Sequence, residues 1–151
     1  MTRVRSLDHV GVVVDDLEAA TKFFLDLGLE QEGVASVQGE WVDNVVGLKD
    51  VQEELVMVRT PDGSGMLELT KFHAPTDGQG PHPAAANRLG IRHIAFRVDG
   101  LNAIVDELRG KGMSTVGKIQ DYEDLFRLCY IRGPEGIIVE LVEQIGSAPA
   151  C

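Results

Sequence analysis

Four residues of this chain could together hold a divalent cation: His9, Glu68, His93 and Glu140. Each glutamate lies between apolar neighbours, in Leu67-Glu68-Leu69 and Val139-Glu140-Leu141. A carboxylate buried without a partner is costly; it either takes up a proton or binds a cation. Taken singly, a strand histidine is more often a satisfied core or edge residue, and a strand glutamate usually faces water. What lifts these four above that reading is that they occupy equivalent places in two copies of one pattern.

The copies are visible by eye. Leu7-Asp8-His9-Val10-Gly11 returns as Ile91-Arg92-His93-Ile94-Ala95, with the histidines 84 residues apart, and the match continues through Ala19 with Ala103 and Gly28 with Gly112. Pro61-Asp62-Gly63 precedes the strand of Glu68 as Pro134-Glu135-Gly136 precedes that of Glu140. Internal repetition on this scale means two copies of one supersecondary unit.

Each copy reads β-α-β-β-β. Along the first strand His9, Gly11 and Val13 share one face and Val10, Val12 and Val14 the other, because side chains alternate. The second copy sets His93, Ala95 and Arg97 against Ile94, Phe96 and Val98. The bulky apolar face suits a helix, and the histidine face carries small residues, as a cavity wall would. Asp15 or Asp16 caps a helix with Leu17, Ala20, Phe24 and Leu27 at helical spacing, and Gly28 ends it. Leu101, Ile104, Val105 and Leu108 repeat the stripe, which ends at Gly112. Further strands are expected over 32–37, 54–59, 114–119 and 127–131, with a short helix over 41–48. Residues 72–87, rich in Pro, Gly and His, read as a linker, so His73 and His82 are expected to be solvated. The expected organisation is one domain, 1–151, with module 1 over about 5–73, a linker over about 74–88 and module 2 over about 89–146. The fold class is α+β, the modules pairing into a curved, cavity-forming mixed sheet with helices outside.

Composition narrows the partners. Of 151 residues, 44% are apolar and 25% charged, a globular balance, while aromatics at 5% leave the core to Val, Leu, Ile and Ala. A net charge of −10 repels phosphate backbones, so no nucleic-acid partner is expected, and no basic run marks a membrane surface. Cys129 and Cys151 form no C-x-x-C pair and imply no disulfide framework. No stretch has the length of a membrane span. A cytoplasmic protein with a small-molecule substrate is the expectation.

These segments resemble the vicinal-oxygen-chelate superfamily, which includes glyoxalase I, methylmalonyl-CoA epimerase, extradiol dioxygenases and bleomycin- or fosfomycin-resistance proteins. Leu7-Asp8-His9-Val10-Gly11 resembles its first strand, and Leu67-Glu68-Leu69-Thr70 the acid-bearing strand of glyoxalase I. Arg92-His93-Ile94-Ala95 and the run from Gly133 to Leu141 resemble the second-module histidine and closing hairpin. The resemblance implies one divalent metal on His9, Glu68, His93 and Glu140, with water completing the shell. Mixed imidazole and carboxylate ligation fits Zn, Ni, Co, Mn or Fe and does not choose among them. It also implies a homodimer, with the site inside one chain or between two.

For reaction, the resemblance implies a glyoxalase-like lyase or isomerase, or an epimerase. A Lewis-acidic metal stabilises charge on a substrate oxygen while a carboxylate moves the proton on the adjacent carbon. Glu140 is the first choice for that base and Glu68 the second. An Fe(II) extradiol-type dioxygenase on His9, His93 and Glu140 is the alternative, against which Glu68 would fill a position that oxygen needs open. A non-catalytic antibiotic-binding protein is the third reading. Bacterial glyoxalase I carries a glutathione-holding Arg where this chain has Val13 and an Asn where it has Phe72, so glutathione is not implied. Nor does a basic cluster favour coenzyme A. Arg97, Trp41, Tyr122 and Arg127 are candidate substrate contacts.

Overall fold

In a computed structural model, which describes residues 2–147, the strands divide into two sheets, one for each repeat. The chain forms two compact units that meet between Pro81 and His82, inside the stretch expected to be the linker.

The first unit contains β1 (Val10–Val13), α1 (Leu17–Asp26), β2 (Glu30–Gln38), α2 (Glu40–Val46), β3 (Gln52–Arg59) and β4 (Met66–Ala74), with strand order β1-β4-β3-β2. β1 runs parallel to β4, and the other pairs are antiparallel. α1 starts where the sequence places it: the Asp16 carboxylate accepts from the Ala19 amide at 3.0 Å, satisfying a donor that the first turn leaves unpaired. Its apolar face packs Ala20, Phe23 and Phe24 against Val56, Val58, Leu67 and Leu69, all buried. Full burial of one such side chain is worth about 1.5–3 kcal/mol.

The second unit contains β5 (His93–Arg97), α3 (Leu101–Gly110), β6 (Ser114–Thr115), β7 (Gln120–Tyr122), β8 (Phe126–Arg132) and β9 (Ile138–Gln144), in the order β5-β9-β8-β6 with β7 also on β8. Of the strand expected over 114–119 only Ser114 and Thr115 form one, because the chain bends at Val116 and Gly117; pairing resumes beyond that range as β7, at the opposite end of β8. α3 has Gly100 where α1 has Asp16, so its cap comes from elsewhere. Glu143 accepts from the Gly100 amide at 2.6 Å and the Leu101 amide at 3.3 Å. Leu101, Val105 and Leu108 are buried, as are Ile131, Val139 and Leu141.

The α+β class and the repeated βαβββ unit agree with the sequence reading, and the short helix expected over 41–48 is α2. One boundary moves: β4 extends through His73, whose Nε2 meets the Glu54 carboxylate. His73 is therefore a strand residue with a partner, because the ladder to β3 outlasts the apolar pattern that ends at Phe72. His82 is exposed in the linker. Cys129 is a buried free thiol, and Cys151 lies outside the described residues. Among the described residues no helix is long and apolar enough to cross a membrane.

Candidate metal centre

In each unit the first strand lies beside the hairpin return strand, which brings histidine and glutamate together. The ladder sets Gly11 opposite Glu68, and His9 stands one residue ahead of β1. His9 Nε2 lies 3.5 Å from Glu68 Oε2. In the second unit Ala95 is opposite Glu140, and His93 Nε2 lies 3.1 Å from Glu140 Oε2. Two donors at metal-bond lengths of about 2.0–2.2 Å stand roughly 3.0 Å apart on adjacent octahedral corners and roughly 3.4 Å apart on tetrahedral ones. Both pairs have that spacing, and the donor set fits a divalent cation. All four side chains are partly exposed, at 36% and 29% for His9 and Glu68 and 37% and 18% for His93 and Glu140, so a small ion can reach them. Among the described residues no group of three or more His, Cys, Asp or Glu is gathered for a metal. The donors therefore stand as two pairs, one per unit.

The two pairs are held differently. His9 Nδ1 faces Asp8 Oδ2 at 2.6 Å, which leaves Nε2 turned to Glu68. Thr70, one of the few buried polar residues, donates its hydroxyl to Glu68 Oε1 at 3.1 Å. In the second unit His93 instead packs against the Tyr130 ring, with centroids 4.9 Å apart. Tyr130 is opposite Glu140, where the first unit has Met57 opposite Glu68. Val142 takes the place of Thr70 and has no hydroxyl to give. Asp8 and Thr70 were readable in the sequence: one adjoins His9, and the other lies two strand residues from Glu68 and so on its face.

The four candidate substrate contacts separate. Arg97 shares the His93 face at the end of β5, with Nη1 3.4 Å from Gln144 Oε1. Tyr122 is exposed and opposite Phe126, on the Tyr130 face of β8. Arg127 is on the opposite face, with buried Cys129 and Ile131, and its Nε is bound to Asp121 at 2.7 Å. Each partner stabilises the other's charge, lowering the Asp121 pKa and raising that of Arg127. Arg127 thus points away from Glu140, because residues three apart on a strand cannot share a face. Trp41 is exposed on α2 beside Val45. A separate groove of about 700 Å³ lies between α1 and β3, lined in part by Leu17, Leu25 and Val56, on the helix side rather than the His9 side.

A duplicated βαβββ unit with a His–Glu pair at the same place in each copy defines a two-module α+β class. The chain belongs to the glyoxalase/bleomycin resistance protein/dioxygenase superfamily, whose family model matches residues 6–141. It is similar to the crystal structure of a glyoxalase family protein from Bacillus cereus, with 39% identity, a TM-score of 0.92 and coverage of 96% of this chain and 97% of that one. It is 28% identical over 144 residues to the uncharacterized protein YwkD of Bacillus subtilis, covering 93% of this chain and 98% of the relative. The trypanothione-dependent glyoxalase I of Leishmania major shares the fold at 21% identity, with a TM-score of 0.66 over 93% of this chain and 87% of that one.

Proposed function

We propose that the chain is a metal-dependent lyase or isomerase of glyoxalase type, epimerases included, in which His9, Glu68, His93 and Glu140 hold one divalent cation and Glu140 moves a proton beside a carbonyl of a small-molecule substrate. The observation that carries this reading is the matched approach of His Nε2 to Glu Oε2, 3.5 Å in one repeat and 3.1 Å in the other. Each pair supplies two donors, so a four-donor shell takes both pairs, from one chain or from two copies in a homodimer.

When bound, the cation acts as a Lewis acid toward substrate oxygens and so acidifies the adjacent C–H. The protein supplies the rest. Glu68 has one oxygen already accepting from the Thr70 hydroxyl at 3.1 Å, which ties that carboxylate in place. Glu140 has Val142 at the corresponding position, with no hydroxyl there to engage its oxygens, and is the carboxylate assigned the proton transfer. It takes the proton from carbon and can return it to a neighbouring atom. Tyr130 limits rotation of His93 beside it.

The test is solvent-deuterium exchange. Protein reconstituted separately with Zn, Ni, Co or Mn is incubated in D2O with a panel of α-hydroxycarbonyl compounds and followed by NMR. Exchange at the carbon next to the carbonyl, absent in Glu140→Gln, is the expected result. Exchange undiminished in that variant would remove Glu140 from the role. Oxygen uptake with catechols by the Fe(II) form, without exchange in any form, would replace the reading with the dioxygenase.

A further inference from the structure

The face of the first unit that bears Glu68 carries another carboxylate. Residues 53, 55 and 57 point to one side of β3, and the ladder sets Met57 opposite Glu68, Leu55 opposite Thr70 and Glu53 opposite Phe72. On the other flank Val37 is opposite Glu53, Ala35 opposite Leu55 and Gly33 opposite Met57. Glu53 therefore shares the face of His9 and Glu68, four strand positions from Glu68, or roughly 13 Å along the strand. The register slips between Gln52 and Glu53, and bulges of this kind re-aim side chains beside binding sites.

Glu53 is half-buried, whereas its sequence neighbours Gln52 and Glu54 are exposed. Among the described residues it has no ion pair and its carboxylate accepts no hydrogen bond. Val37, Leu55 and Phe72 around it offer no donor. Arg59 is the one Lys or Arg on this face of the four strands, and it is tied to Glu30 at 2.8 Å. Burial first, and the charge of Glu68 second, hold the Glu53 carboxyl above its ordinary pKa. A partly exposed acid with no protein donor is met by water, which a ligand bringing its own donor can replace.

We infer that Glu53 is a specificity-determining residue, which receives a hydrogen-bond donor, an ammonium or hydroxyl group, at the end of the ligand remote from its chelating oxygens. The wall between Glu68 and Glu53 is formed by Leu55, Ala35 and Val37, so the ligand has an apolar middle. A remote carboxylate or phosphate is rejected, because it would meet Glu53 with no free cation beside it. This selects neutral or amine-bearing substrates over those with anionic tails. The inference rests on the proposed metal reading, which makes His9 and Glu68 the chelating end.

Hydroxamates, which chelate through two adjacent oxygens, provide the probes. Zn-reconstituted protein is titrated by calorimetry with 6-aminohexanohydroxamate, with the carboxylate-ended adipic monohydroxamate, and with acetohydroxamate, which has no remote end. The ammonium-ended probe should bind at least tenfold tighter than the carboxylate-ended one. Glu53→Gln should bring the two within about threefold and Glu53→Lys should reverse their order, while acetohydroxamate binds all three proteins alike. Equal binding of the two tailed probes by the wild type, or a preference unchanged in Glu53→Gln, would overturn the inference and leave the metal reading standing. Failure of the wild type to bind any hydroxamate would overturn both.

Discussion

Asp8 Oδ2 lies 2.6 Å from His9 Nδ1, and the other nitrogen of the same ring lies 3.5 Å from Glu68 Oε2. A carboxylate on one ring nitrogen fixes the tautomer and leaves the other nitrogen's lone pair for a cation. Asp8 is itself 93% exposed, so its removal disturbs no packing. Asp8→Ala should weaken divalent-cation affinity by about 10- to 100-fold with an unchanged Tm of the metal-free protein. Cation titration of both proteins checks this, and equal affinities would show that Asp8 does not position His9.

The Thr70 hydroxyl is buried and is given to Glu68. Thr70→Val keeps the shape and removes the donor. The loss should be about 1 kcal/mol of stability, measured by urea unfolding, and a several-fold loss of cation affinity. Thr70→Ser should restore most of both.

The raised pKa of Glu53 has a stability consequence with a definite sign. An acid whose folded-state pKa lies above its unfolded value contributes stability at low pH, and that contribution is lost as pH rises through the folded value. At pH 7 the ionised Glu53 is therefore a burden that Gln does not carry. In metal-free protein, Glu53→Gln should raise Tm at pH 7, and the gain should vanish below about pH 4. Thermal unfolding at both values is the check.

Two turn glycines separate backbone strain from steric exclusion. Gly136 has φ +79°, and an added Cβ would lie 2.6 Å from Pro83 Cα. Gly63 has a similar φ, +74°, with open space around it. Gly136→Ala should cost about 2–4 kcal/mol, and Gly63→Ala only about 1–2 kcal/mol. Denaturant melts of the two variants measure the difference.

Much of this arrangement was legible in the sequence, because local rules wrote it. The Asp16 cap, the Phe24 and Val105 helix stripes and the alternation on the first strands follow from period and capping chemistry. The repeat put each histidine and its glutamate on equivalent strands, and the ladders then placed them side by side. What escaped depends on residues far apart in the chain. Glu143 caps a helix that begins 42 residues earlier, in place of the local acid that Gly100 lacks. Tyr130 meets His93 only through the register of β8 on β9. Glu53 fell outside the expected strand, although alternation from Leu55 and Met57 already gave its face.

The central claim is that the two His–Glu pairs serve one cation. The most direct measurement is the divalent-metal content of purified protein by plasma mass spectrometry, beside the His9→Ala, His93→Ala double variant. The account predicts about one divalent ion per chain in the wild type after dialysis and none retained by the variant. Wild-type protein that holds no ion even after reconstitution would contradict it.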